Sequence, residues 1–203
     1  MTKAYVLLND SNNIYYPVKA STNPYNGKST YCAGSPQFFG GKVNRGEYNI
    51  DALLRETAEE SILTYLLQDE PITQIMQASV GPEESAEDYY FYSSGSWSKS
   101  TDHKWPSTDD AWDELPPEFR EMCCVVSAPI NTLISALGLT KGQEPDVAPY
   151  DLPTLPALAT ALVNAALAGA PSWAKPMIKT VPSEEFLDSE TLKAFACFVA
   201  NCV

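Results

Sequence analysis

The order of elements along this chain predicts an α/β protein of the α+β kind. Three observations carry that expectation. The chain opens with two short runs rich in β-branched and aromatic residues, Lys3 to Leu8 and Ile14 to Ala20, joined by Asp10-Ser11-Asn12-Asn13, which is turn chemistry. A helical segment beginning near Asn49 carries acidic residues on one side and apolar or small residues on the other. Two further apolar-striped helices close the chain after a proline-rich stretch.

Taken in order, the N-terminal hairpin is followed by Ser21 to Pro36, a polar stretch read as a long loop that helps cover a site, or as a disordered insertion. Phe38-Phe39 leads into a short strand, and Asn49 is the expected helix cap. The helix is expected to continue through Ile62-Leu63-Thr64-Tyr65-Leu66-Leu67 until Asp69-Glu70-Pro71 stops it. Ile72 to Val80 and Asp88 to Ser93 read as strands around Gly81-Pro82, and Ser94 to Pro117 as a loop region holding Trp97, Trp105 and Trp112. Cys123 to Ala128 reads as a buried strand, and Pro129 to Leu137 as a helix ended by Gly138. From Lys141 onward Pro145, Pro149, Pro153 and Pro156 mark a linker, after which helices span about Ala157 to Ala168 and Ser189 to Cys202. The apolar stripe Leu192, Phe195, Val199 and Cys202 needs burial against the body of the protein or against a second copy, a homodimer.

The chemistry concentrates between Gly40 and Leu63. At about 100° per helical residue, Glu56 and Glu60 lie about 40° apart with Glu59 on the other flank, so the three carboxylates share an arc of roughly 100°. Ile50, Leu54, Thr57, Ala58, Ser61 and Tyr65 fall opposite and are expected to pack on a sheet. Carboxylates so close repel unless a cation sits among them, and a hard divalent ion with oxygen ligands meets that need.

Gly41, Glu47, Arg55, Glu56, Glu59, Glu60 and Leu63 match, in one register, the box of the Nudix hydrolase family. That pattern runs Gly, five residues, Glu, seven residues, Arg-Glu, an aliphatic, any residue, Glu-Glu, any residue, Gly, an aliphatic. Thr57 and Ile62 depart from it, standing for the aliphatic and for the second glycine. The resemblance implies a Nudix-type mixed β-sheet sandwiched between helices over residues 1–140; the change of composition at Lys141 sets off residues 141–203 as a proline-rich linker and C-terminal helical extension that packs on this domain or on a partner subunit. The resemblance also implies Mg²⁺ or Mn²⁺ as cofactor and hydrolysis of a diphosphate linkage in a nucleoside diphosphate derivative. Glu56, Glu59 and Glu60 would be metal ligands, with the Gly41 carbonyl also in reach. Glu47 would support the site from the turn, and Arg55 would orient carboxylates by ion pairing. A catalytically weak Nudix-fold module that binds or senses a nucleotide is the alternative.

Beyond the box, Lys42 and Arg45 are candidate phosphate contacts, or simply solvated cations. Glu83, Glu84, Glu87 and Asp88 form one acidic cluster, and Asp113, Glu114 and Glu118 another; acidic loops are usually solvated. Trp97, Trp105, Trp112, Tyr89, Tyr90 and Tyr92 could stack a base, although tyrosines along a strand are more often core and rim. His103, the only histidine, sits in a polar loop.

The formal net charge of −13 over 203 residues argues against a nucleic-acid duplex or an anionic membrane as main partner. It leaves room for a small anion, because a bound cation reverses the local sign. The first apolar run is too short for a signal peptide, and no run approaches a membrane span. Five cysteines without a Cys-x-x-Cys pair read as packed thiols, which suits a reducing, cytoplasmic setting.

Overall fold

A computed structural model describes residues 2–9, 12–23, 26–60, 72–80, 87–94, 108–140, 142 and 144–202. The expected helix continuation past Ser61, the turn at Gly81-Pro82, and Trp97, His103 and Trp105 lie outside these residues. Six strands form one mixed sheet: β1 (Thr2–Asn9), β2 (Asn13–Lys19), β3 (Phe39–Lys42), β4 (Ile72–Val80), β5 (Glu87–Ser94) and β6 (Met122–Pro129). The order is β4-β5-β1-β2-β6, with β3 beside β1. β1 runs parallel to β5 over seven of its eight residues, Thr2 opposite Asp88 through Leu8 opposite Ser94. Its other edge is shared. The C-terminal end pairs with β2 (Leu8 with Tyr15), and the N-terminal half pairs antiparallel with β3 (Lys3 with Lys42 through Val6 with Phe39).

Strand alternation sends β1 side chains to two different cores. Ala4 and Val6 join Phe39, Tyr92 and Met122 beneath the helix α1 (Asn49–Glu60), which contributes Leu53. Tyr5 faces the other way, into a larger aromatic core with Phe38, Tyr89 and Phe91. That second face is covered by α3 (Ile130–Ala136), α4 (Leu155–Gly169) and α6 (Glu190–Asn201). Helices therefore lie on both faces of a mixed sheet, as expected.

The C-terminal residues are part of this core. Leu192, Phe195 and Val199 are at most 1% exposed. The Phe195 ring stacks on Phe38 at 4.0 Å between centroids and meets Tyr16 edge-on at 5.7 Å. The buried Tyr16 hydroxyl donates to the Leu162 carbonyl at 2.7 Å, tying β2 to α4. Ser189 caps α6 by accepting from the Leu192 N–H, and Ser183 caps the short α5 (Glu184–Leu187) through Phe186. The stretch expected to be a linker is also packed: a 3₁₀ turn at Pro149–Asp151 presses Tyr150 and Leu152 against the same core.

Three local expectations need correction. Asn49 is the first helical residue rather than the cap; the Tyr48 carbonyl accepts the first helical bond, from Ala52. The region read as loop from Ser94 to Pro117 contains the helix α2 (Asp109–Asp113), capped by the Thr108 hydroxyl accepting from Ala111. The loop read as a cover for the site docks elsewhere. Cys32 is buried in the larger core, its N–H donates to Glu185 Oε2 at 2.9 Å, and the Lys179 N–H donates to the Gly34 carbonyl at 3.0 Å. Those contacts hold residues 32–34 to the C-terminal segment, in the core opposite α1.

Candidate active site

The site begins where β3 ends. Gly40 has φ of 123°, and a Cβ there would sit 2.1 Å from the Ala4 carbonyl oxygen, so only glycine lets β3 lie this tightly on β1. A turn follows in which the Glu47 N–H donates to the Asn44 carbonyl at 3.1 Å, with Gly46 at φ 83°. The Asn44 N–H answers by donating to Glu47 Oε2 at 2.9 Å. This turn aims the Glu47 carboxylate back at α1.

Arg55 meets it there. Its Nε donates to Glu47 Oε1 at 2.9 Å and its Nη2 to Oε2 at 3.0 Å, a two-point contact that fixes the guanidinium plane. Nη1 donates to Glu56 Oε1, and Nη2 also reaches the Lys42 carbonyl at 2.9 Å. One guanidinium thus joins the last residue of β3, the turn and the helix. The three side chains are 18% (Glu47), 30% (Arg55) and 20% (Glu56) exposed, partly screened but open on one side. The bond from Arg55, reinforced by the Asn44 amide, holds the Glu47 carboxyl down at about 2. The same contacts, Glu47 first and then Glu56, push Arg55 further up, so the pair stays ionised across the accessible pH range.

The remaining Glu56 oxygen lies over Gly41. A Cβ on Gly41 would fall 2.3 Å from Glu56 Oε2 and 2.6 Å from Cδ. The missing side chain is therefore the space the carboxylate occupies. This corrects the expected packing face of α1. Thr57, on the expected face, is fully buried and Ile50 and Leu54 pack at half burial, but Ala52 and Leu53, which flank Glu56, are fully buried as well. The acidic side and the packing side overlap because a glycine strand, with no side chains to exclude it, lies against the helix.

Of the expected site residues, Gly41, Glu47, Arg55 and Glu56 are brought together. Glu59 and Glu60 follow on the same helix; their side chains lie outside the described residues. Lys42 and Arg45 are exposed beside the turn. Asn44 and the Lys42 carbonyl were not singled out from sequence, although Asn-x-Gly-Glu is a recognisable turn signal. Of the candidate stacking groups, Trp112 is buried with its indole N–H donated to the Met122 carbonyl at 3.0 Å, and Tyr89 is fully buried. Tyr92 is buried and hydrogen-bonded to Asn49. Asp88 accepts from the Ser79 hydroxyl, and Asp113 faces Arg120 at the surface; Glu83 and Glu84 lie outside the described residues.

A divalent cation requires hard oxygen donors, and Glu56 offers one carboxylate oxygen held by Arg55 and a second beside Gly41. The donor type fits. Among the described residues no group of three acidic, histidine or cysteine side chains is gathered to complete such a site. Glu59 and Glu60 are the residues that would have to complete it.

No family model matches this sequence, and no curated protein matches it. Among solved structures, it is similar to the MutT protein of Methanosarcina mazei Go1, at 17% identity over 66% of this chain and 80% of that one, with a TM-score of 0.43. The E. coli dihydroneopterin triphosphate pyrophosphohydrolase is similar at 13% identity over 81% and 96%, TM-score 0.39. The Nudix domain of Shewanella oneidensis NrtR, complexed with ADP ribose, is similar at 12% over 66% and 76%, TM-score 0.37.

Proposed function

We propose that this chain is a Nudix-type hydrolase that cleaves a diphosphate linkage in a small nucleoside diphosphate derivative with the help of Mg²⁺ or Mn²⁺. The observation that carries the reading is the Arg55 bridge. It gathers Glu47 and Glu56, nine positions apart, and leaves one Glu56 oxygen over Gly41. A surface ion pair has no need of a glycine shaped around one of its carboxylates.

Each residue then has a task. Glu47 keeps its charge down to about pH 2 and holds the guanidinium in plane. Arg55 turns Glu56 so that one oxygen is occupied and the other is available. Gly41 lets the strand backbone approach that oxygen. Glu56, Glu59 and Glu60 would hold the cation, which when bound neutralises phosphate charge and lowers the pKa of a water molecule. Lys42 and Arg45, exposed beside the turn, would be the phosphate contacts.

The net charge of −13 favours a small substrate over a nucleic-acid duplex. No helix among the described residues is long and apolar enough to cross a membrane. All five cysteines are free and four are buried, which supports a cytoplasmic setting.

The test is a panel of nucleoside diphosphate derivatives assayed with Mg²⁺ or Mn²⁺, with melting curves recorded alongside. Turnover of at least one member, and a melting temperature raised by millimolar metal in the parent but not in the Glu56→Gln/Glu59→Gln/Glu60→Gln triple variant, is expected. Equal rises in both proteins would place the cation elsewhere.

A further inference from the structure

The loop between β2 and β3 contains Asn26-Gly27-Lys28, and Asn26 is the one asparagine in the chain that a glycine follows. An asparagine amide carbon lies within reach of the next residue's backbone nitrogen, and the two can close a five-membered ring. A side chain on the following residue crowds that nitrogen, and glycine has none. Every other asparagine here is followed by a residue that carries one.

Asn26, Gly27 and Lys28 are all exposed. Gly27 has φ of 65°, and a Cβ built on it would meet no atom of the described residues within 4 Å, which leaves that side of the peptide open to water. Asn26 Oδ1 accepts the Lys28 N–H at 2.9 Å. That bond folds the amide over the Gly27 peptide and draws electron density from its carbonyl carbon, as attack by the Gly27 nitrogen requires. One bond opposes the reaction. The Gly27 N–H donates to the Asn23 carbonyl at 2.8 Å and has to let go before its nitrogen can attack. That carbonyl is shared with the Asn26 N–H at 3.4 Å, and farther in the Asn23 N–H donates to the Lys28 carbonyl at 2.7 Å. Solvent-exposed backbone bonds of this kind open locally at low free-energy cost.

We propose that Asn26 is a site of spontaneous deamidation through a succinimide. The Gly27 nitrogen gives its proton to a base in solution and bonds to Asn26 Cγ. The Cγ–Nδ2 bond breaks, and the amide nitrogen leaves as ammonia. Water then opens the ring. Adding at Cγ, it restores the original backbone with an aspartate. Adding at the Asn26 backbone carbonyl carbon, it leaves isoaspartate, with the chain running through the side chain. In sum an amide and a water become a carboxylate and ammonium, and no oxidant or reductant takes part. Both products set a negative charge beside Lys28, the one charged residue from Asn26 to Thr30. Isoaspartate also lengthens the main chain by a carbon, so the bonds from Gly27 and Asn23 across the turn lose their present geometry. The anchors of residues 32–34 on Glu185 and Lys179 lie beyond the Thr22 to Ser29 bridge, which keeps the change away from the sheet and from Arg55.

Incubation of the full chain at neutral and at mildly alkaline pH tests this, with peptide mass analysis and methyl labelling by a protein isoaspartyl methyltransferase as readouts. The peptide holding Asn26 should gain the mass of an amide exchanged for an acid and take the label, and do both faster at the higher pH. Asn26→Gln requires a larger ring, and Gly27→Ala crowds the nitrogen in otherwise open space. Each should slow the gain at least tenfold. A peptide that keeps its mass, a gain indifferent to pH, or either variant reacting as fast as the parent would overturn the proposal.

Discussion

Replacing Phe195 by Ala tests whether the C-terminal helices form an integral layer of the fold. Phe195 is fully buried, stacked on Phe38 and edge-on to Tyr16. Truncating a buried Phe to Ala costs about 3–5 kcal/mol in transfer and cavity terms, and each aromatic pair is worth about 0.5–1.5 kcal/mol beyond area. Allowing for overlap between those terms, a loss of about 4 kcal/mol is expected. That is a large share of the roughly 5–15 kcal/mol that holds a domain together. For a chain of this size it corresponds to a melting temperature lower by about 8–16 °C. Urea unfolding should show the loss as a lower midpoint at unchanged slope. Phe195→Leu, which keeps an apolar side chain but removes the ring contacts, should lose about 1–2 kcal/mol and serves if the alanine variant cannot be purified. The effect should reach the site, because Phe38 leads directly into β3. A loss below about 1 kcal/mol for Phe195→Ala would show that α6 does not support the sheet.

Gly41→Ala places a methyl group 2.3 Å from Glu56 Oε2 at a residue with no special backbone demand, so the carboxylate has to move. Stability should fall by about 1–3 kcal/mol and the rate on whichever substrate the panel identifies by about a hundredfold, the cost of misplacing a group by an ångström; an unchanged rate would remove Gly41 from the site. Arg55→Gln should raise the Glu47 pKa from about 2 toward its ordinary 4.5, with the Asn44 amide still holding it below that value. A depressed carboxyl pKa stabilises the fold above 4.5 and loses that contribution as pH falls through about 2, so the stability gap between parent and variant should be full above pH 4.5 and close between pH 4.5 and 2. A gap that does not vary over that window counts against the pairing. Glu60→Gln should slow turnover about a thousandfold or more, equivalent to several kcal/mol of transition-state stabilisation, with Glu70→Gln as the matched control. A Glu60→Gln enzyme as fast as the parent at saturating Mg²⁺ would favour the binding-module reading.

What could be read from sequence was what depends on local pattern. The spacing from Gly41 to Leu63 is a single register, and β1, β4, β5 and β6 announce themselves through β-branched and aromatic runs. The partner of Arg55 was less legible. Arg55 and Glu59 are four positions apart, the spacing of a helical ion pair, whereas the described contacts run back to Glu47 through a turn whose geometry rests on Gly46. The buried face of α1 is wider than apolar periodicity predicts, taking in Ala52 and Leu53 beside Thr57, for a related reason. Apolar periodicity counts side chains, and the space that draws Glu56 inward is made by a side chain that is absent. The helix at Asp109–Asp113 was hidden among polar residues, although a Thr cap followed by two aspartates is a start signal. The docking of residues 32–34 on Lys179 and Glu185 joins parts of the chain some 150 residues apart, and nothing local encodes it.

The divided edge of β1 separates the height of the site from the length of the chain that precedes it. β3 is four residues long and takes its register from Lys3, Ala4, Tyr5 and Val6, with Gly40 pressed on the Ala4 carbonyl as the stop. The excursion between β2 and β3 is closed at its base by the Val18 to Pro36 bridge and further out by the Thr22 to Ser29 bridge, beyond which Asn26 and Gly27 are exposed. Residues inserted there would lengthen an appendage without sliding β3 along β1. This outer loop is therefore where the chain can acquire a tag, a fluorophore or a new recognition element while the constellation at Arg55 keeps its place.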